Sequence, residues 1–233
     1  MSTYVLVHGS FQGGWIWKPT AEVLRQAGHT VYAPTLDGCG ERHHLIRPGI
    51  TIAAQAREVA EMMFYEDLSD VVLVATSTGG LVVCKTAELA RDRISRLVFV
   101  DALAPQEGER VSEIVQRDPN TPPMPTTELT RGPTRDELET RLFADLEPEL
   151  RAWAADRATK HPVEASDAPG ELDAFWATAG SIPARVIRCR LSANPPEAHQ
   201  RRTAERLNAD WHEMDAGHYP MLSHPDELAG LLG

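Results

Sequence analysis

At 233 residues, 42% hydrophobic and 24% charged, the chain suits one compact domain with a sizeable core, and its composition excludes a disordered, collagen-like or disulfide-framed polypeptide. The formal net charge of -11 disfavours nucleic acid or an anionic membrane surface as partner, and says little about a small neutral substrate. Cys39, Cys84 and Cys189 are widely spaced without a metal or redox pattern, so reduced structural thiols in a cytoplasmic protein are expected, with no signal peptide and no apolar run near the roughly 20 residues of a membrane span.

In chain order, residues 4–8 form a short, nearly continuous apolar run, expected as a strand buried on both faces. His8-Gly-Ser-Phe-Gln-Gly-Gly-Trp15 follows it. A glycine-rich turn at a strand's carboxyl end frees backbone N–H groups, one requirement of an oxyanion hole, and Ser10 is the candidate donor; an ordinary tight turn would look the same. His8 is expected to end the strand in a structural role. A helix over 16–27 and a strand over 30–33 come next, then Arg42, His43 and His44 on a loop that either rims a pocket or faces solvent. A helix over 52–65 precedes the strand 71–75.

That strand runs into Ala75-Thr-Ser77-Thr-Gly79-Gly80 and emerges as a helix over 79–91. A serine on a sharp strand-to-helix turn, with small residues two before and two after it, has the context of a nucleophile elbow. Alanine stands here where the G-x-S-x-G pattern has its first glycine. The turn also puts the Thr78 N–H at a helix N-terminus, aimed where an oxyanion would form; a turn that merely caps a helix is the plainer alternative. A strand over 97–100 ends at Asp101.

From 105 to 182 the strand–helix rhythm stops. A proline-rich stretch from Pro119 to Pro133 and helical patterns over 135–146 and 148–160 predict a helical cap, inserted after the strand that ends at Asp101 and lying over the sheet edge. The expected organisation is one domain, 1–233, with a core of 1–104 and 183–233 and a cap of about 105–182. Phe11, Trp153 and Trp176 are candidates for an apolar substrate pocket, although such aromatics more often pack in the core.

Beyond the cap come a strand over 185–189, a helix over 197–208, a weaker strand over 210–214 and a helix over 221–232. The alternation predicts an α/β fold with a mostly parallel, doubly wound sheet of about six strands. His218, on the loop after the last strand, is the candidate general base, near its partner only if the loop swings over the sheet edge. His224 and His212 read as structural, and no third ligand accompanies His43 and His44, so neither metal nor cofactor is expected. The carboxylate that orients the histidine is expected after residue 189, yet Arg190-Leu-Ser-Ala-Asn-Pro-Pro-Glu197 holds no aspartate. Asp101 is the preferred substitute, Glu197 the second, and Asp215 sits too close to His218 along the chain.

Together, Val5-Leu-Val-His-Gly-Ser-Phe-Gln-Gly-Gly-Trp15, Pro34-Thr-Leu-Asp-Gly-Cys-Gly-Glu-Arg42, the Ser77 turn, Leu97-Val-Phe-Val-Asp-Ala-Leu-Ala-Pro105 and Asp215-Ala-Gly-His-Tyr-Pro-Met-Leu222 resemble the single-domain α/β-hydrolases grouped with plant methyl esterases and hydroxynitrile lyases. The resemblance implies Ser77 as nucleophile, His218 as base and Ser10 and Thr78 as oxyanion donors. Departures are Ala75, Thr76 in place of a histidine before the serine, and the aspartate missing after Cys189. The lyase branch uses a lysine just after the catalytic histidine and a threonine near the end of the first strand; Tyr219 and Gly9 stand there, which favours hydrolysis. The expected function is cofactor-free cleavage of a small carboxylic-type ester, a methyl ester or carbamate ester included. A small-molecule receptor on the same scaffold is the second reading and a lyase the third. The expected partner is the small ester alone, and a homodimer is left open.

Overall fold

The computed structural model describes residues 1–116, 118, 120–167 and 169–233; Pro119, the first proline of the proline-rich stretch, lies outside them. Along the chain, β1 is Thr3–Val7, α1 Lys18–Gln26, β2 Thr30–Tyr32, α2 Ile52–Tyr65, β3 Val71–Ser77, α3 Gly79–Leu89 and β4 Ile94–Ala102. Then follow α4 Val111–Ile114, β5 Thr130–Arg131, α5 Arg135–Glu137, α6 Pro148–Arg157, β6 His161–Pro162 and α7 Asp173–Thr178. The chain closes with β7 Ala184–Cys189, α8 Glu197–Leu207, β8 Asp210–Met214, α9 Pro220–Ser223 and α10 Pro225–Leu232.

Six strands form one sheet in the order β2-β1-β3-β4-β7-β8, with every pairing parallel. The apolar runs are continuous because both faces of the sheet are covered and side chains alternate between them. Val5, Leu73, Leu97, Phe99 and Val186 pack in one core with residues of α2, α3 and α8. Their neighbours Tyr4, Leu6, Val74, Val98 and Ile187 pack on the other face with residues of α1, α9 and α10. Because all six strands point the same way, the loops after β1, β3, β4, β7 and β8 emerge at a single edge.

Three expectations about elements need correction. The segment 105–182 is not strandless: β5 and β6 pair antiparallel, Thr130 with Pro162 and Arg131 with His161. The helix expected over 135–146 is α5 continued by a π turn, Leu138–Leu142, with Phe143 already outside it. The terminal helix is two helices. Pro225 disfavours the α conformation at the preceding residue, and His224 accordingly sits at φ -135, ψ 52 between α9 and α10. No helix among the described residues is long and apolar enough to cross a membrane.

Candidate active site

Two residues at neighbouring strand ends adopt the left-handed backbone that L-residues avoid: Ser77 at φ 52 on β3 and Asp101 at φ 44 on β4. Such conformations cost about 1–3 kcal/mol each and persist only where the surroundings impose them. Here both lie where the β3–β4 ladder ends. The β3–β4 register shifts between Thr76 and Ser77, and the Leu103 N–H donates to the Ser77 carbonyl at 2.8 Å. The turn can close because Gly79 lacks a side chain: a Cβ there would lie 2.6 Å from the His8 carbonyl oxygen. Ala75, fully buried, fits where the common pattern has glycine.

His218, on the loop between β8 and α9, bonds through Nδ1 to Asp101 Oδ2 at 2.6 Å. Asp101 is completely buried. Its other oxygen, Oδ1, accepts from Gln200 Nε2 at 2.7 Å and, longer, from the Cys189 N–H at 3.5 Å. With a carboxylate at 2.6 Å, Nδ1 carries the proton and Nε2 is left as the basic nitrogen. The Tyr219 ring packs edge-on to the imidazole, centroids 4.9 Å apart, and meets Phe143 at a tilt, centroids 4.7 Å apart. Burial pushes the Tyr219 hydroxyl well above the usual phenol range, so it stays protonated.

Glu197 and Asp215 are both committed elsewhere, near the surface. Glu197 pairs with Arg201 at 2.7 Å and Arg188 at 3.0 Å, and Asp215 pairs with Arg190. The loop after β7 is instead tied to the inserted segment, where Asn194 accepts from the Gln116 N–H and donates to its carbonyl.

Ser77, His218, Ser10, Thr78 and Phe11 line one cavity of about 610 Å³. The far wall comes from the inserted segment, including Val111, Met124 and Leu142. On the loop after β1 the Ser10 N–H does not stand free: it donates to Thr78 Oγ1 at 2.7 Å, and the two hydroxyls lie 2.9 Å apart. His8 is fully buried, with Nδ1 bonded to the Gly9 carbonyl at 2.8 Å and Nε2 accepting from the Leu36 N–H at 3.0 Å. Burial lowers its pKa to about 4, so it is neutral and pins this loop to the chain after β2.

Trp153 and Trp176 do not line the cavity, contrary to the sequence-based expectation. Trp153 packs edge-on to Trp15 at 5.4 Å under the Arg157 guanidinium. Trp176 is buried against Phe175, donates to the Pro105 carbonyl at 2.6 Å and carries Arg206 on its face. Arg42 is likewise absent from the lining: it binds Glu58 and the Thr35 carbonyl. His43 and His44 bond their own loop carbonyls. Among the described residues no cluster of histidine, cysteine or carboxylate side chains could hold a metal ion. The three cysteines are free and buried, and burial holds the Cys39 thiol at a pKa of about 12. Gln200 and Tyr219 escaped sequence reasoning, since one glutamine inside an amphipathic helix and one tyrosine beside a histidine carry no distinguishing pattern.

A family model described as the alpha/beta hydrolase family matches residues 4–231. The chain belongs to that family. This α/β-hydrolase is 38% identical over 117 residues to a carbendazim hydrolyzing esterase of Nocardioides sp. (strain SG-4G), an alignment covering 50% of this chain and 48% of that protein. With an α-hydroxynitrile lyase of Arabidopsis thaliana the identity is 29% over 115 residues, so the chain spans about half the length of these two relatives. Methylesterase 7 of Arabidopsis thaliana aligns over 98% of this hydrolase and 94% of its own length at 25% identity. Among solved structures, an extracellular α/β-hydrolase from a Paenibacillus species superposes with a TM-score of 0.82 at 22% identity, over 100% of this chain and 98% of that one. That likeness establishes the fold.

Proposed function

We propose that this chain is a serine hydrolase of small carboxylic-type esters, working through an acyl-enzyme. The observation that carries the reading is the 2.6 Å bond between His218 Nδ1 and the buried Asp101, on the wall of a cavity that Ser77 also lines. Ser77 Oγ attacks the ester carbonyl while His218 Nε2 takes its proton, and Asp101 holds the imidazole in that tautomer and stabilises the imidazolium. The Thr78 main-chain N–H meets the oxyanion, with the Ser10 amide bonded to Thr78 Oγ1 beside it; His218 returns the proton to the leaving alcohol, and water then releases the acyl group by the same route. The core of 1–104 and 183–233 carries this chemistry, and the segment of about 105–182 acts as the cap that shapes the substrate space.

The names of the relatives suggest methyl esters and carbamate esters as the first substrates to try, and a cavity of about 610 Å³ accommodates a drug-sized molecule. Hydrolysis is favoured over cyanohydrin cleavage by the packing at Gly9. A Cβ there would lie 2.6 Å from Ser77 Cβ, which leaves no room for the threonine that the lyase branch carries. The deciding experiment is labelling by a fluorophosphonate with the adduct located by mass spectrometry, alongside turnover of a p-nitrophenyl ester panel. Adduct on Ser77 and loss of turnover in Ser77→Ala are expected. Turnover surviving that substitution overturns the mechanism.

A further inference from the structure

The contact between Ser10 and Thr78 leaves one hydrogen unaccounted for. Thr78 Oγ1 receives the Ser10 N–H at 2.7 Å, and a single bond of 2.9 Å joins the two hydroxyls. Two hydroxyls bring two protons, and that bond uses one of them. Neither side chain has another hydrogen-bond partner among the described residues. Both residues line the cavity beside Ser77. If Ser10 Oγ gives its proton to Thr78, the Thr78 O–H is unspent; if Thr78 gives, the Ser10 O–H is. In the first arrangement both lone pairs of Thr78 Oγ1 are filled by Ser10 donors, which polarises the remaining O–H and strengthens it as a donor.

The Ser10 main-chain amide, meanwhile, is spent on the Thr78 oxygen rather than held free for a ligand. A tetrahedral oxyanion needs donors that stand within hydrogen-bond reach before it forms. We infer that the Thr78 hydroxyl is a catalytic donor in the oxyanion hole: it receives the Ser10 amide on one side and gives its own proton's hydrogen bond to the developing oxyanion on the other. No bond to hydrogen breaks, so the reaction's proton balance is that of the Ser77–His218 mechanism on which this inference rests. The Ser10 amide then acts through Thr78, and the hole combines a side-chain donor with the Thr78 main-chain N–H. This assigns the hydroxyl a function that a residue with an aliphatic side chain could not perform.

The test compares Thr78→Val, Thr78→Ala and Thr78→Ser with the wild type, using a p-nitrophenyl ester and its thionoester counterpart, whose sulfur is the poorer acceptor. Valine and alanine are expected to lower kcat about 10²-fold, the effect of one lost oxyanion donor, with KM within about threefold. Serine is expected to retain kcat within about threefold. The preference for the oxygen ester over the thionoester should shrink in the valine and alanine variants and persist in the serine variant. Valine or alanine variants as fast as the wild type or faster overturn the proposal, because the hydroxyl would then only have occupied the Ser10 amide. Fluorophosphonate labelling of Ser77 separates this failure from the larger one. Labelled Ser77 with unaffected Thr78 variants removes the hydroxyl's role alone, whereas unlabelled Ser77 removes the mechanism beneath it.

Discussion

The cavity is walled on one side by strand ends and on the other by the inserted segment, and the two sides hold their residues differently. Ser77 and Asp101 are held in left-handed conformations where the paired β3–β4 main chain comes to its end. Opposite them, Val111 belongs to a four-residue helix, Leu142 closes a π turn and Met124 lies in irregular chain. Apart from the two-residue pairing of β5 with β6, side-chain bonds fasten that segment: Asp167 holds the Val111 N–H and the Ser112 hydroxyl at 2.9 Å each, and Thr134 and Glu137 cap α5 reciprocally. Placement to a few tenths of an ångström is affordable only where the backbone is over-determined. In the proposed mechanism, bond-making therefore falls to groups anchored at the strand ends, and selection among substrates to the segment facing them.

Substitutions can break that division, starting with the largest effect. Asp101→Asn should lower kcat about 10⁴-fold by leaving His218 in the wrong tautomer, while Glu197→Gln and Asp215→Asn stay within about twofold in the same steady-state assay. A comparable loss in Glu197→Gln would move the orienting acid off the strand end.

Three buried histidines are neutral, one after β1, one on the inserted segment and one on α8. Burial lowers His8 to about 4, His161, on the inserted segment, to about 3, and His199 to about 4. Their unfolded forms take up protons near pH 6.5 while the folded forms resist. Stability contributed by their neutrality is thus complete above about pH 6.5 and falls as pH drops toward 4. Each contributes about 1.4 kcal/mol per pH unit within that window, so urea midpoints should fall steeply on acidification, by up to about 10³ per unit in the folding constant for all three. His199→Gln should flatten the slope by about one proton; an unchanged slope would show that this site is already wet.

A smaller effect is expected at Gln200. Gln200→Leu removes the 2.7 Å donor to Asp101 Oδ1 and should lower kcat about tenfold with KM unchanged, with a melting curve separating misplacement of the carboxylate from loss of folding. On the facing side, Met124→Ala and Leu142→Ala should alter KM by about three- to tenfold across an ester panel and leave kcat within about twofold. If kcat instead fell as far as in the Gln200 variant, the facing segment would be part of the bond-making apparatus.

Much of the edge was readable in the chain because its signals are local. Continuous Val/Leu/Phe runs mark strands covered on both faces, and small residues flanking Ser77 mark a turn that must pass close to another backbone. Asp101 could be favoured as the partner of His218 because it ends the strand beside Ser77. What stayed hidden depends on contacts between distant positions. Nothing in the pattern of α8 distinguishes Gln200 from any other polar residue, and a tryptophan's packing partner is not encoded near it, so sequence alone does not separate Trp153 and Trp176, which do not line the cavity, from Phe11, which does. The two-residue pairing of β5 with β6 is too short to leave a periodicity.

Placing the histidine's carboxylate contact on β4 frees the connection that follows β7. That stretch carries no group that must meet the imidazole; it borders the cavity, where its Asn194 clasps Gln116 of the facing segment. The Pro195 carbonyl accepts from Gln200 Nε2 at 2.9 Å, so this tether also steadies the residue that donates to Asp101. Bordering the substrate space apart from Ser77, Asp101 and His218, it is a place to graft new recognition.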